Sequence, residues 1–561
     1  MTHTIFVECL DCGDRDVYSP ESLSCLQCGG QWREARYDYP NIGKTLPTLL
    51  PTRPFDLWRY QELLPLRETH PSLSMGEGGT PLIHAANLGM MLGCPHIYIK
   101  DERQGPTNSF KDRQAAVGIA ALKEAGITEV VLASTGNVAI AYAAHAARAG
   151  IKLWAFLTSL VPSEKMREVA IYGTEVVKVT STYDEAKKLA AEFARQRNLY
   201  VESGARTIPS VESMKTIAFE IAEQMTDLLG PEDDPSRGGI PSWRIPDWYI
   251  QSVSGGLGPL GVQKGFDELV RMGLSCRKPG LVIVQAEGCS PMVAAWKNGD
   301  RVAQPIHAPR THISTLATGD PGRTYTLLYD RILETGKGLF ESVSDEETFR
   351  TIHILAKMEG LSVEPAAAVG FAGLIRLIRT GKIKQKDFIV VNCTGHTMPV
   401  EKDILGDNWA RSVSVPPQVL SDTPQEGLLA ALNKVTPDRF PCILIVDDMP
   451  DARRLIRRIL QSQGSYTVFE AQNGIEAMDI TQREYPDLII LDLMMPEIDG
   501  FAVLDALKAN PDTAPIPVIV VTAKELTQEE RDRLRGQIHS LMQKGEFMND
   551  EFMDEITALI G

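Results

Sequence analysis

From Pro47 to the mid-430s the chain alternates short β-branched runs with alanine-rich stretches of helical period. Val130-Val131-Leu132 is strand-like, Val138–Arg148 helix-like, and Lys152–Leu157 strand-like again. Strand-then-helix order repeated in this way commits a chain to a mostly parallel sheet covered by helices, the α/β class. Two flanking blocks read differently. Residues 1–45 are punctuated by Cys and Gly and hold few apolar stretches, whereas a second α/β rhythm begins at Phe440 with Ile443–Val446, Leu488–Leu491 and Val518–Val521 as strands. The expected division is therefore 1–45, 46–436 and 437–561. Gly230–Pro246 reads as a surface loop and Trp409–Ser421 as an extended connection. Pro424–Val435 reads as a short helix with Thr423 as N-cap.

Charge narrows the function classes. Lys and Arg number 57 against 73 Asp and Glu, a formal charge of −16, and residues 440–561 alone hold 11 basic and 22 acidic residues. Such a chain is not built to coat nucleic acid or anionic lipid. No apolar run is long enough for a bilayer, and Met1–Thr4 lacks the basic and apolar regions of a signal peptide, so a soluble cytoplasmic protein is expected.

Four of the nine cysteines are clustered. Cys9-Leu10-Asp11-Cys12-Gly13 and Cys25-Leu26-Gln27-Cys28-Gly29 form two knuckles twelve residues apart. Each CxxC turn puts two thiolates on one side of a loop, and the glycine after it allows a positive φ, so amides can point at sulfur. A redox pair or a ribbon that has lost its metal are the alternative readings. The doubled knuckle favours structural Zn²⁺ on Cys9, Cys12, Cys25 and Cys28, with metal binding supplying the folding energy of a block poor in apolar residues. Four cysteine ligands leave no open position for catalysis.

Lys111 lies in Ser109-Phe110-Lys111-Asp112-Arg113, between the strand-like His96–Ile99 and an alanine-rich helix. A lysine at a helix start beside an aromatic wall can have its ammonium destabilised, freeing the amine to attack an aldehyde. A lysine so placed is otherwise most often a surface residue. Together with Met75-Gly76-Glu77-Gly78-Gly79-Thr80-Pro81-Leu82, the segment resembles the threonine synthase branch of fold-type II pyridoxal 5'-phosphate (PLP) enzymes, tryptophan synthase β-like two-lobed α/β proteins. The resemblance implies that Lys111 joins covalently to the cofactor, with Phe110 beside it. Ala133-Ser134-Thr135-Gly136-Asn137 resembles the loop whose asparagine bonds the cofactor's ring oxygen, here Asn137. Ser254-Gly255-Gly256-Leu257-Gly258 resembles the phosphate loop, with Ser254-Gly255 where a Gly-Asn pair is usual. Glycines there let amides close on a phosphate at a helix's positive end. Asn392-Cys393-Thr394-Gly395-His396 resembles the element whose threonine, here Thr394, faces the pyridine nitrogen. A hydroxyl there leaves the nitrogen neutral and implies elimination or replacement at the β or γ carbon. Val363-Glu364-Pro365-Ala366 resembles a segment that shapes the pocket.

Threonine synthases act on O-phosphohomoserine and carry a Pro-Ala-Gly-Lys-like stretch and an Asn-Pro-x-Arg element for the substrate's phosphate. This chain has Leu157–Lys165 and Ala205–Thr216 in those places, with Lys165 and Arg206 as anion ligands or solvated surface charge. The first expectation is a threonine synthase-like lyase, with an amino acid as substrate and a homodimer implied by the family. The alternatives are another PLP lyase (threonine ammonia-lyase, diaminopropionate or phosphoserine chemistry) and a non-enzymatic phosphorelay adaptor that keeps the fold.

Residues 441–561 resemble a response-regulator receiver domain, a flavodoxin-like (CheY-like) fold. Strands end at Asp447-Asp448, at Asp492 and at Thr522, and Lys544 follows a short fifth strand. Alternating order brings these ends to one sheet edge, where three carboxylates repel unless a hard divalent cation, Mg²⁺, lies among them. The resemblance implies that Asp492 accepts a phosphoryl group, Asp447, Asp448 and Asp492 hold Mg²⁺, and Thr522 and Lys544 contact the phosphoryl oxygens. A histidine kinase or phosphotransfer protein is the implied partner. Leu541 stands at the usual aromatic switch position, and Lys524 and Glu525 read as solvated charge.

Overall fold

The structure, a computed structural model, describes residues 5–20, 22, 24–68, 71–158, 161–232, 242–396, 441–463, 466–496, 498–524, 526–543, 555–556 and 558–559. The predicted connection Trp409–Ser421, the helix Pro424–Val435, most of the loop Gly230–Pro246, Glu525 and Lys544 lie outside these residues. The chain divides into two compact units, residues 1–85, 96–352 and 362–399 in one and 86–95, 353–361 and 400–561 in the other.

The first unit carries three sheets. Phe6–Cys9 is the middle strand of a small antiparallel sheet, flanked by Arg15–Val17 and Arg33–Arg36. A six-stranded sheet runs in the order Gly338–Val343, Gly280–Ala286, Trp248–Ser252, Ile389–Cys393, Ile97–Asp101, Leu82–His84, and only its last pair is antiparallel. A four-stranded parallel sheet has the order Glu175–Val179, Lys152–Thr158, Glu129–Ser134, Tyr200–Val201. Strand Gly280–Ala286 is buried at every position, as expected where helices cover both faces of a parallel sheet. The segments read as strand, helix and strand between Val130 and Leu157 lie in Glu129–Ser134, Asn137–Ala149 and Lys152–Thr158.

Two long helices, Ile208–Leu229 and Leu257–Arg271, pack face to face. Glycine permits their close approach. A Cβ on Gly261 would lie 2.5 Å from Val211 O, and one on Gly265 would lie 2.5 Å from Lys215 O. Met214, Ile217, Ile221, Val262 and Phe266 fill the surrounding core.

The second unit contains a five-stranded parallel sheet in the order Thr467–Ala471, Cys442–Val446, Leu488–Leu491, Val518–Thr522, Ser540–Gln543. Helices Pro450–Gln463, Gly474–Glu484, Gly500–Ala509 and Gln528–Leu534 alternate with the strands. This is the flavodoxin-like arrangement expected from the sequence, with Leu444, Val446, Ile489, Leu491, Val518 and Val520 in its core.

Candidate active site

Three neighbouring parallel strands, Trp248–Ser252, Ile389–Cys393 and Ile97–Asp101, deliver their carboxyl ends to one edge of the large sheet. The loops after them begin at Val253, Thr394 and Glu102. Strand order here is not sequence order, and such an edge is where open α/β sheets bind ligands.

The loop leading to helix Lys111–Glu124 is tied at both ends. Asp112 accepts from the Thr107 amide at 2.9 Å and from its hydroxyl at 2.6 Å. The Phe110 amide donates to Thr394 O and the His396 amide to Asn108 O, each at 3.0 Å. Asn108 has φ +59°, a left-handed turn that asparagine tolerates. Behind the loop, buried Arg113 pairs with Glu102 at 2.8 Å and with Glu220 at 2.6 Å, while Lys100 reaches Glu220 at 2.7 Å. Lys111 thus starts a helix whose first turn is bolted to the sheet. Its Nζ lies 4.3 Å from the centroid of the Phe110 ring and 3.5 Å from Gln114 Oε1. Burial pushes the ammonium down to about 8, against the pull of the Glu202 and Glu364 carboxylates.

Asn137 opens helix Asn137–Ala149 directly after Gly136, whose φ of +140° is open to glycine alone among ordinary residues. Ser134 Oγ accepts from the Gly136 amide at 3.0 Å and steadies this turn. Asn137 Nδ2 donates to both oxygens of Glu364, at 2.8 and 3.0 Å. Lys165 Nζ donates to Asn137 Oδ1 at 3.1 Å and approaches Glu364 Oε2 at 3.5 Å. Lys165 is therefore a buried cation and not solvated surface charge, 9% exposed. Arg206, read alongside it, is exposed and donates to Gln31 at 2.8 Å. Glu364 caps helix Pro365–Arg379, and its amide donates to Gly395 O at 3.2 Å. Buried Thr394 is the neighbour of Gly395, so the Asn137, Lys165 and Glu364 cluster adjoins the Thr394 element. Glu364 was legible only as a pocket-shaping residue; its carboxylate is the hub of this cluster.

The glycine loop turns from strand Trp248–Ser252 into helix Leu257–Arg271. Gly256 has φ +87°, and its Cβ would come within 3.0 Å of Leu328 and Thr324. Gly255 by contrast faces open space. The first amides of any α-helix lack intrahelical partners, so this turn offers donors beside a free volume. Ser254 and Thr318 meet hydroxyl to hydroxyl at its mouth. Ser109 Oγ, Ser252 Oγ and His396 Nδ1 are buried without a hydrogen-bond partner among the described residues. An amine of lowered basicity, a helix N-terminus with room for an anion and the Thr394 hydroxyl together fit a phosphorylated aromatic aldehyde. Lys111, the Gly255–Gly258 loop, Asn137 and Thr394 are the residues that could hold it.

Two further constellations lie elsewhere. The thiols of Cys9, Cys12, Cys25 and Cys28 lie within 4.8 Å of one another, a set that can hold a tetrahedral ion. Gly13 and Gly29 have φ +75° and +71°, and amides of Asp11 and Gly30 point at sulfur at 3.4 Å. In the second unit, carboxylate oxygens of Asp447, Asp448 and Asp492 fall within the same span. Buried Thr522 ends the neighbouring strand, and its hydroxyl accepts from the Lys524 amide at 3.2 Å. Lys524 itself pairs with Glu530 at 2.5 Å. Leu541 is 38% exposed on the last strand.

Fold and site define a PLP-dependent lyase joined to a receiver domain. Residues 73–395 match the model of the pyridoxal-phosphate dependent enzymes, and the chain belongs to that family. Residues 443–556 match the response regulator receiver domain. Among curated relatives, the threonine synthase of Methanocaldococcus jannaschii is 34% identical over 391 residues, 69% of this chain and 91% of the relative. That of Methanosarcina acetivorans is 32% identical over 393 residues, covering 70% and 91%. That of Mycobacterium tuberculosis is 30% identical over 359 residues, covering 62% and 91%. No helix among the described residues is long and apolar enough to cross a membrane.

Proposed function

We propose that the chain converts O-phosphohomoserine and water to threonine and phosphate, and that its receiver domain is a phosphorylation-dependent regulator of that activity. The observation that carries the substrate is Lys165, a buried cation held by Asn137 and Glu364 beside the Thr394 element. A desolvated ammonium there would draw a phosphate monoester into the site. The threonine synthases among the relatives support the same reading.

Bound PLP would supply the electron sink that stabilises negative charge on the substrate's carbon skeleton. The chain's own residues would do the rest. The amides of the Gly255–Gly258 turn would hold the cofactor's phosphate, Phe110 would lie beside it, and Asn137 would bond its ring oxygen. Thr394 would offer the ring nitrogen a hydroxyl rather than a carboxylate. Lys111 Nζ is the base that takes and returns protons at the substrate's carbons, and an amine whose basicity has fallen to about 8 is free in part near neutral pH. Lys165 binds the departing phosphate.

A second reading has its own support. Glu202 and Glu364 both place negative charge near Lys111, which favours a substrate with no second anion, such as threonine or diaminopropionate. Purified protein assayed for phosphate and threonine release from O-phosphohomoserine, and for ammonia release from threonine and diaminopropionate, separates the two. Phosphate and threonine appearing together support the first reading; ammonia alone supports the second.

In the receiver, Asp492 would accept a phosphoryl group from a histidine kinase or phosphotransfer protein. Asp447, Asp448 and Asp492 would hold Mg²⁺, with Thr522 and Lys544 on the phosphoryl oxygens. The cysteine quartet would hold structural Zn²⁺.

A further inference from the structure

Gln114 stands one turn beyond Lys111 on the same helix and is 1% exposed. Its Oε1 lies 3.5 Å from Lys111 Nζ, and its Nε2 lies 3.3 Å from both Glu202 Oε1 and Ser210 Oγ. Ser210 Oγ in turn donates to Glu202 Oε1 at 2.7 Å. Both Glu202 oxygens accept from the Gly204 amide at 3.0 Å, which fixes the carboxylate. Donor and acceptor identity sets the direction of this chain of bonds. An ionised carboxylate only accepts, and the one proton of Ser210 goes to it, so Ser210 can only accept from Gln114. Gln114 must then turn its NH₂ toward Glu202 and Ser210 and its carbonyl toward Lys111.

We propose that Gln114 and Glu202 are positioning residues for Lys111: Gln114 accepts a hydrogen bond from the amine and fixes its rotamer, and Glu202 holds Gln114 in that orientation and sets the charge the amine meets. The proposal rests on Lys111 being the lysine that captures the cofactor. The other groups around the amine are Glu364, with Lys165 held upon it, and the Phe110 ring. Tyr142, Tyr183 and Tyr200 lie in the field of Glu202, and burial keeps each phenol neutral. On the lysine's own helix, Asp112 and Arg113 are turned away to Thr107 and to Glu102 and Glu220.

The test follows capture of added PLP by cofactor-free, full-length protein, with absorbance as readout and pH as variable. Capture needs the unprotonated amine, so in the parent its rate rises through about pH 8. Glu202→Gln removes a carboxylate that favours the ammonium, and the midpoint moves down by about one unit. Gln114→Glu adds one, and the midpoint moves up by a similar amount. Opposite shifts at matched thermal stability are the signature of charge at the amine, which a packing role does not produce. Unchanged midpoints in both variants, or shifts of the same sign, overturn the proposal. Should Glu202→Gln fail to fold, Gln114→Glu decides alone, an upward shift supporting and no shift refuting. Lys111→Ala separates this inference from the reading beneath it: a variant that still captures PLP covalently would refute the assignment of Lys111 itself.

Discussion

Glu364 reaches across 227 residues of sequence to receive the side chain of Asn137, and Lys165 closes the same cluster. Glu364→Gln removes a charge-assisted pair worth about 1.5–3 kcal/mol. The expected result is a fall in kcat/KM of about one to two orders of magnitude, together with a melting temperature lowered by several degrees, because Lys165 loses its buried counter-charge. Gly395→Ala attacks the same carboxylate from the backbone side, because its Cβ would lie 2.6 Å from Glu364 Oε1. It should reproduce the kinetic defect of Glu364→Gln, and wild-type kinetics would contradict the importance of this contact. Lys111, Asn137 and Thr394 are named in the sequence through contiguous runs that resemble a known family, and the structure ties those runs to one another through Phe110 to Thr394 and Asn137 to Glu364. Lys165, Glu364, Gln114 and Glu202 were not legible as a set. The sequence offers Lys165 as an anion ligand or surface charge and Glu364 as part of a pocket-shaping segment, and it singles out neither Gln114 nor Glu202; the fold brings these distant segments together.

At the scale of elements, the helix that carries Lys111 is anchored by Arg113 between Glu102 and Glu220, all three nearly free of solvent. Removing the guanidinium leaves buried Glu102 without its cation and Glu220 with Lys100 alone. Arg113→Met should therefore cost about 3–5 kcal/mol in denaturant unfolding. The same network gives a pH dependence. Burial alone would raise the Glu220 carboxyl, but Arg113 and Lys100 prevail and hold it at about 2 against an ordinary 4.5. A group depressed by folding contributes stability above its unfolded value and loses it as pH falls. Denaturant midpoints should thus decline from about pH 4.5 down to about pH 2, and Arg113→Met should blunt that decline. Strands and helices were readable from period and β-branching. The neighbour order was not: Ile389–Cys393 lies between Trp248–Ser252 and Ile97–Asp101, a placement set by long-range pairing rather than by local pattern.

On the scale of the whole molecule, the chain joins a pyridoxal-phosphate dependent enzyme to a receiver domain and carries a cysteine-rich block near residues 9–28. The cysteine block has a small apolar cluster of its own, with Ile5, Val7 and Ala35 against Ile208, and Glu34 is paired to Arg331. Metal removal by chelation, or Cys12→Ser, should release zinc and expose residues 5–36 to protease while the large sheet stays protected. Equal protease resistance without metal would contradict a structural ion. Asp492→Ala should abolish labelling by a small phosphodonor and leave PLP capture intact. The receiver was legible in the sequence, and the structure brings the carboxylates of Asp447, Asp448 and Asp492, which follow neighbouring strands, within 4.8 Å of one another, at the edge where a parallel sheet gathers its ligands.

The proposed chemistry requires that Lys111 bond covalently to the cofactor. Borohydride reduction of the purified PLP-loaded chain, followed by peptide mass mapping, should place the reduced pyridoxyl group on the peptide containing Ser109-Phe110-Lys111-Asp112-Arg113 and on no other. An unlabelled chain, or a label on a different lysine, would contradict it.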